Sequence, residues 1–370
     1  MTNLIGARIK ALREERKLSQ DDLARIFGFK DRQTVSAIET GERRVTADEL
    51  LLAVEKLGAP LDYFTDPFLL VGEGRFSWRQ TNVGSGVLGA YERNAGRWIA
   101  AFRAIAPQVG RASPLLRRAL GLTRHSRFED AMDAGERFAA EFGLGDVPAR
   151  RLAEVMEREL GILVLMVDAF EGISGAACRL PELDVVLINR HEVAGRRHFD
   201  LAHELFHILT WDAMPPEHSE EAQETGGNRV EQLANNFAST VLMPKAVLAR
   251  YGEWAEFGDD DLIARLNAAA DELLVTASAL KWRLVALDWL KLARARAIPD
   301  AALRNNGHNG REAPKVVPPL LFSKPFMEVI GLAIDEGRVS TRRAAGLLDL
   351  TVEDLTGLFV AHGVEPPAEL

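Results

Sequence analysis

Residues 199–209 form an apolar run with the spacing of a buried helix. Within this run His203, Glu204 and His207 form the pattern H-E-x-x-H. Residues four positions apart share one face of a helix, so both imidazoles can reach a single metal ion. Glu204 stands beside His203, where it can deprotonate a water activated by the metal without being a ligand itself. Two surface histidines on an ordinary helix are the alternative interpretation.

A second helical pattern covers residues 231–244 and begins with Glu231. A catalytic zinc site needs a third protein ligand as well as an open position. The extension that supplies a third histidine in some zinc peptidases is missing, because Thr210 and Ala213 stand where its Gly and His would be. Glu231 is the expected third ligand, although an acid at a helix N-terminus also favours the helix dipole. Three other acidic residues compete for this role, namely Glu220, Glu221 and Glu224. Asn235, one turn after Glu231, either holds a ligand in place or faces water.

Other patterns predict a small sheet and several further helices. The predicted elements are strands at about 161–167, 172–178 and 183–189, and helices within 90–105, 128–160, 259–292, 326–335, 340–348 and from 351. Short apolar runs separated by turn residues predict the strands, whereas helical spacing and capping residues predict the helices. Together they indicate an α+β fold that is mostly helical.

Residues 19–41 have the pattern of two short helices separated by a turn. The first begins after Ser19, a typical N-cap residue, and closes on Gly28, while the second ends at Gly41. With its flanking helical segments, this pattern resembles the helix-turn-helix of Cro/repressor-type (XRE) regulators over about residues 3–66. The resemblance implies that the recognition helix faces the major groove with Gln33, Thr34 and Ser36, and that Arg32, Arg43 and Arg44 lie near phosphates. Basic and acidic side chains are nearly balanced in this segment, so protein docking or dimerisation is the alternative to DNA binding.

The stretches RHFDLAHELFH at 197–207 and EQLANNFASTVLMP at 231–244 resemble the zinc metallopeptidases of the ImmA/IrrE family. Two predicted strands and a later helix at 275–284 extend the resemblance to about residues 150–295. It implies that His203, His207 and Glu231 bind zinc and that Glu204 is the general base. Asp200 and Phe206 depart from the Thr and Gly that are usual in the family, and neither change removes a ligand.

With these resemblances the chain divides into five parts. The expected domains are a five-helix XRE-type bundle in 1–66, a helical connector in 67–125, a zincin-like peptidase with a small sheet in 126–297, a linker in 298–316 and a small helical module in 317–370.

The oxyanion of peptide hydrolysis needs a donor besides the metal. Arg197, His198 and His218 lie near the motif and are candidates, although a surface or packing role is the more ordinary one for each.

Composition adds limits on location and partners. The net charge of −9 does not favour a general binder of polyanions, and no apolar run approaches the length of a membrane span. The single cysteine, Cys178, suits a reducing compartment, so a cytoplasmic location is expected, and the resemblance to the ImmA/IrrE family implies that the cell is bacterial. Cys178 is interpreted as a buried thiol, and the alternative is an inhibitory ligand at the open position of the metal.

The function expected from the resemblance is that of a regulatory zinc endopeptidase. Its substrate would be a repressor protein of the helix-turn-helix type, cleaved in a stress, DNA-damage or mobile-element response. Two His and one Glu suit zinc, and manganese or iron is chemically compatible. Residues 1–66 can bind DNA if their basic side chains gather on one face of the bundle. A homodimer is also left open. The alternative is a DNA-binding regulator or an antitoxin-like protein whose metal site is structural or sensing.

Overall fold

The structure, a computed structural model, describes residues 4–112, 115, 117–221, 228–304 and 317–368. Its first five helices form a bundle of their own: α1 Leu4–Glu15, α2 Gln20–Phe27, α3 Arg32–Thr40, α4 Ala47–Leu57 and α5 Leu61–Thr65. Ser19 caps α2 in a reciprocal capping box with Asp22, and Gly28 ends the helix with a φ of 70°. The left-handed conformation favours glycine at this point, where the chain turns towards α3. The five-helix bundle expected from the sequence is therefore confirmed.

A small mixed sheet lies at the centre of the rest of the chain. Its strands are β1 Arg75–Gln80, β2 Leu163–Val167, β3 Ile173–Arg179, β4 Asp184–Asn189 and β5 Ser219–Glu221, arranged in the order β2-β4-β3-β1-β5. The inner pairs β4–β3 and β3–β1 are antiparallel, whereas the outer pairs β2–β4 and β1–β5 are parallel. Strands β2, β3 and β4 lie within two residues of the predicted positions.

The connector between the bundle and the peptidase-like segment contains a strand that the sequence analysis did not predict. The sequence predicts a helical connector over residues 67–125, and α6, Ser85–Ile105, lies within it. Ahead of it, however, β1 joins the sheet beside β3. Phe76 and Trp78 point to one face of β1 and are buried there, while Ser77 and Arg79 point to the other. The connector thus contributes a strand to the sheet in addition to its helix.

Helices cover both faces of the sheet. The remaining helices are α7 Phe128–Glu141, α8 Pro148–Arg158, α9 Ala194–Thr210, α10 Arg229–Leu242, α11 Lys245–Leu248, α12 Asp259–Leu273, α13 Ala277–Ala286, α14 Leu292–Ala297, α15 Lys324–Asp335, α16 Thr341–Leu348 and α17 Val352–Ala361. Helices α7 to α14 share one apolar cluster with a face of the sheet, which we call the site-side core. Helices α6 and α15 to α17 share a second cluster with the opposite face, which we call the far-side core.

The C-terminal helices follow the predicted caps and pack directly on the sheet. Ser340 caps α16, and Thr351 forms a capping box at the start of α17. Phe326 of α15 stacks on Phe102 of α6, with ring centroids 5.9 Å apart, and the backbone amide of Phe322 donates a 2.7 Å hydrogen bond to the β2 carbonyl of Met166. The domain boundaries stay predictions, but these helices and the sheet bury their apolar surfaces together.

The predicted linker and the question of membrane-spanning helices complete the description of the fold. The second part of the predicted linker, residues 305–316 with His308, lies outside the described residues. Across the helices that the structure describes, none combines the length and apolar character needed to cross a membrane.

Candidate metal centre

Helix α9 brings His203, Glu204 and His207 into the interior. It packs on β3 and β4, and from Asp200 to Thr210 every side chain is buried. Apolar residues such as Leu205 occupy the positions around the motif, which explains why the helix lies against the sheet. Each of the three motif side chains is about 1% exposed, so the pattern belongs to a buried helix and not to a surface one.

Helix α10 supplies the third member of the cluster. Its N-cap, Asn228, accepts hydrogen bonds from the backbone amides of Val230 and Glu231, which fixes the first turn of the helix. The Glu231 side chain then lies in that turn, buried beneath α9, where the helix dipole favours its negative charge. The ring centroids of Phe206 and Phe237 are 5.6 Å apart and join the two helices behind the cluster. The bulky Phe206, where the resembled family has Gly, is therefore accommodated by packing against α10.

The three side chains converge on one point. His203 Nε2 lies 3.0 Å from His207 Nε2 and 3.1 Å from Glu231 Oε2, and His207 Nε2 lies 3.2 Å from Glu231 Oε1. Among the described residues, these three form the one group of His, Cys, Asp or Glu side chains whose arrangement could hold a metal ion. Two imidazoles and one carboxylate are the donor set of many catalytic zinc sites, so the residues present fit that metal.

Asn235 contacts the cluster from the next turn of α10. Its Oδ1 lies 3.0 Å from His203 Nδ1, an arrangement in which Nδ1–H donates and leaves the Nε2 lone pair facing His207 and Glu231. Burial, and secondly the neighbouring Arg79 cation, lower the pKa of His203 to about 4. The imidazole is thus neutral near pH 7, which is the form that binds metals.

Glu204 lies on the sheet side of α9. The backbone amide of Ala177 in β3 lies near enough to favour the charged form of its carboxyl, and its Cγ would be 3.8 Å from a Cβ placed on Gly175. Burial raises the pKa of Glu204 well above its ordinary range, with Glu231 and Asp200 acting in the same direction and Arg79 against it. Within the part of the chain that is described, Oε2 of Glu204 has no hydrogen-bond partner. A buried carboxylate oxygen in this state is suited to accept a proton from a water molecule.

A guanidinium that the sequence analysis missed also reaches the cluster. Arg79 extends from β1, and its Nη1 lies 3.0 Å from His203 Nε2 and 3.7 Å from Glu231 Oε2. Its Nε lies 3.0 Å from Oδ1 of Asp200, which is on α9 one turn before Glu204. The signal for this residue was the alternation of apolar and polar side chains in residues 75–80, which is typical of a strand.

The candidate oxyanion donors lie elsewhere. Arg197 hydrogen-bonds the backbone carbonyls of Arg190 and Glu192, and His198 hydrogen-bonds the carbonyl of Leu274. His218 contacts Glu92 of α6 at 2.7 Å. The structure therefore engages all three in contacts outside the cluster.

Cys178 and the competing acids are also placed. Cys178 is buried in the far-side core, whereas the neighbouring Ala177 belongs to the site-side core, so the Cys178 side chain points away from the cluster. Burial raises the pKa of the thiol well above its ordinary value. Glu220 and Glu221 lie in β5, and Glu224 lies outside the described residues.

The predicted DNA-contacting residues lie on or near α3. Arg32 and Gln33 at its start are exposed, as is Arg44 after it, whereas Thr34 and Ser36 are half-buried. The Thr34 hydroxyl donates to the N-cap Asp31. Both terminal nitrogens of Arg43 bond the Glu49 carboxylate, at 2.6 and 3.0 Å, so a phosphate would have to compete with that ion pair. Their role in binding DNA stays a prediction.

A histidine pair on a buried helix, a glutamate from a second helix and an adjacent glutamate form an arrangement typical of metallopeptidases. In agreement, residues 157–284 match the peptidase family model described as the IrrE N-terminal-like domain, and residues 9–64 match the helix-turn-helix model. A search of curated proteins found no match. The predicted architecture, a helix-turn-helix followed by a metallopeptidase-type domain, is confirmed.

Proposed function

We propose that this protein is a regulatory zinc endopeptidase. The observation that supports the proposal most strongly is the buried convergence of His203, His207 and Glu231 with Glu204 beside them. A structural zinc site is normally closed by four protein ligands, whereas three ligands and a neighbouring acid are typical of a catalytic one. The donor set favours zinc, and manganese would be bound by the same three side chains.

In this proposal the three ligands hold the ion, and Asn235 fixes the tautomer of His203. The zinc ion would act as a Lewis acid towards a water molecule and the substrate carbonyl. Glu204 removes a proton from the water molecule while the water oxygen forms a bond to the carbonyl carbon of the substrate. It then delivers that proton to the nitrogen that leaves when the peptide bond breaks.

The substrate that we propose is a repressor protein of the helix-turn-helix type. Its cleavage would relieve transcriptional repression in a stress, DNA-damage or mobile-element response. The match of residues 9–64 supports a regulatory setting, because a helix-turn-helix can bind an operator or dock on a similar module. The exposed Arg32, Gln33 and Arg44 are the side chains that we assign to DNA contact, while α1 to α5 could equally form a homodimer.

The decisive experiment compares the wild type with Glu204→Gln, each loaded with zinc or manganese. Both are incubated with the repressor-like protein encoded nearest the gene, with and without single-stranded DNA, and the products are read by mass spectrometry. We expect one metal-dependent cut that the variant fails to make although it binds metal stoichiometrically. Glu157→Gln is the matched control, because Glu157 lies outside the site beside α15 and should leave the cut unchanged.

The opposite result would favour a regulator or an antitoxin-like protein with a structural or sensing metal site. In that case metal would bind stoichiometrically, no condition would give a cut, and Glu204→Gln would regulate its target or neutralise its partner normally. Loss of zinc from His207→Ala, measured in parallel, would show that the ion occupies the proposed cluster in either case.

A further inference from the structure

Arg79 is a cation placed at the candidate site by a segment that lies outside both family matches. The matches cover residues 9–64 and 157–284, whereas Arg79 belongs to β1 in the connector. Its side chain is 11% exposed, compared with 1% for His203 and 8% for Glu231. Of these three side chains Arg79 has the largest exposed fraction.

The position of Arg79 is fixed by its surroundings. Its partner Asp200 is 2% exposed, so the ion pair, with Nε 3.0 Å from Oδ1, is largely shielded from water. The register of β1 on β3 shifts immediately after Arg79, an irregularity that is common next to active sites, where it redirects a side chain. Gly175 is the residue opposite Arg79 on β3 and has no side chain to obstruct it.

Asp200 is also one of the two positions that depart from the resembled peptidase family, in which a Thr is usual. A threonine could not neutralise a buried guanidinium. In this chain Asp200 and Arg79 therefore form a matched pair, with one member on the catalytic helix and the other on the connector strand.

The geometry leaves the metal-binding lone pair of His203 available. Nη1 of Arg79 lies 3.0 Å from Nε2 and 3.3 Å from Nδ1 of the same ring. An atom on the lone-pair axis of Nε2 would be much farther from Nδ1 than from Nε2. The amino group therefore lies over the imidazole ring, where it does not take the position of a ligated ion.

Peptide hydrolysis creates negative charge on the carbonyl oxygen, and a fixed donor aimed at that charge accelerates the reaction. Arg197, His198 and His218 are engaged outside the cluster, so none of the three is placed to donate to that oxygen. We propose that Arg79 is a catalytic residue that donates an N–H to the scissile carbonyl oxygen, and that Asp200 is its positioning residue. The charge on the oxygen is transient, since it returns to the carbonyl when the C–N bond breaks.

This proposal rests on the proposed peptidase function and is tested with the full chain on the same repressor-like protein. Arg79→Gln removes the cation, and we expect kcat to fall about 10²–10³-fold while KM changes little. Zinc affinity, measured by competition with a chelator, should stay the same or become tighter, because a cation beside His203 and Glu231 repels the ion. Arg79→Lys keeps the positive charge but loses the planar guanidinium group. Its kcat should therefore lie between those of the wild type and Arg79→Gln.

Arg179→Gln is the matched control. Arg179 lies on the neighbouring strand β3, is also 11% exposed and pairs with a carboxylate, Asp184, that is 2% exposed. It contacts Asp212 and the Ile208 carbonyl rather than the cluster. A general effect of breaking a buried ion pair would therefore lower kcat in both variants. A role in catalysis lowers it in Arg79→Gln alone.

Two further readouts separate catalysis from support of the fold. Methylguanidinium added to Arg79→Ala should restore part of kcat, which a structural defect would not allow. Asp200→Asn should lower kcat less than Arg79→Gln does, and the double variant should be no worse than Arg79→Gln, because Asp200 acts through Arg79.

Three results would overturn the assignment. These are wild-type kcat in Arg79→Gln, loss of zinc affinity with kcat restored by excess zinc, or equal losses in Arg79→Gln and Arg179→Gln. Failure of the proposed function gives a different result, because the wild type itself would then bind zinc and cleave nothing.

Discussion

Gly135 allows α7 and α10 to pack closely, and its replacement by alanine gives a prediction whose sign can be worked out. A Cβ added at Gly135 would lie 2.0 Å from Thr240 Oγ1 and 2.8 Å from the backbone carbonyl oxygen of Phe237. Thr240 can rotate away, but the Phe237 carbonyl is part of α10 and cannot. The two helices must therefore separate to accept a single methyl group.

Two effects oppose each other in Gly135→Ala. Alanine favours the helix over glycine by about 1 kcal/mol, whereas overpacking a well-packed core costs about 1–3 kcal/mol. Contacts this short, one of them to backbone, indicate the upper end of that range. We therefore expect the free energy of unfolding to fall by about 2 kcal/mol. Zinc affinity should fall as well, because α10 carries Glu231 against the two histidines.

The assay is urea denaturation of the metal-free protein, followed by tryptophan fluorescence, with zinc affinity measured separately. Gly357→Ala is the control, since Gly357 is exposed in α17 and a Cβ there meets no atom within 4 Å. Helix propensity alone should raise its stability by about 0.5–1 kcal/mol. Adding Thr240→Ala to Gly135→Ala should recover part of the loss. The packing argument is refuted if Gly135→Ala is as stable as the wild type or more so.

Two further predictions concern protonation and metal binding. Burial raises the pKa of Glu157 to about 7 from an ordinary 4.5, so the folded state favours the protonated acid. Its contribution to stability is full below pH 4.5 and is lost as the pH rises through 7, by at most about 3 kcal/mol. Urea midpoints at pH 5 and 8 should therefore differ more in the wild type than in Glu157→Gln, and equal differences would contradict the assignment. Zinc at about 100 times its Kd should stabilise the folded wild type by about 2.7 kcal/mol, seen as a higher Tm. His207→Ala should show no such rise, and an equal rise in that variant would locate the ion elsewhere.

Much of the local structure follows from the sequence because local interactions determine it. The capping residues Ser19, Ser340 and Thr351 mark helix starts that the structure reproduces. The spacing of His203 and His207 is enough to place both on one face of a helix. These features depend on residues within one or two turns of each other, which a pattern can report.

The third ligand and the cation at the site depend on contacts between distant residues. Spacing alone could not choose between Glu231 and the acids of residues 220–224. The choice depends on how α10 packs beneath α9, which Asn228, Phe206 and Phe237 govern together. Arg79 is 124 positions before His203, and its approach is set by the pairing of β1 with β3. Six residues with only two apolar side chains, Phe76 and Trp78, gave too weak a pattern to identify that strand.

The two faces of β1 show why the matched peptidase segment is not a complete structural unit. Residues 157–284 contain the three candidate ligands, but β1, α6 and α7 lie before them and α15 to α17 after them. Removing the flanks would take away Arg79 and the α7 surface on which α10 packs. It would also expose the sheet face that Trp78 and the far-side core cover. The geometry of the candidate site is therefore a property of the longer chain, and its chemistry is best measured there.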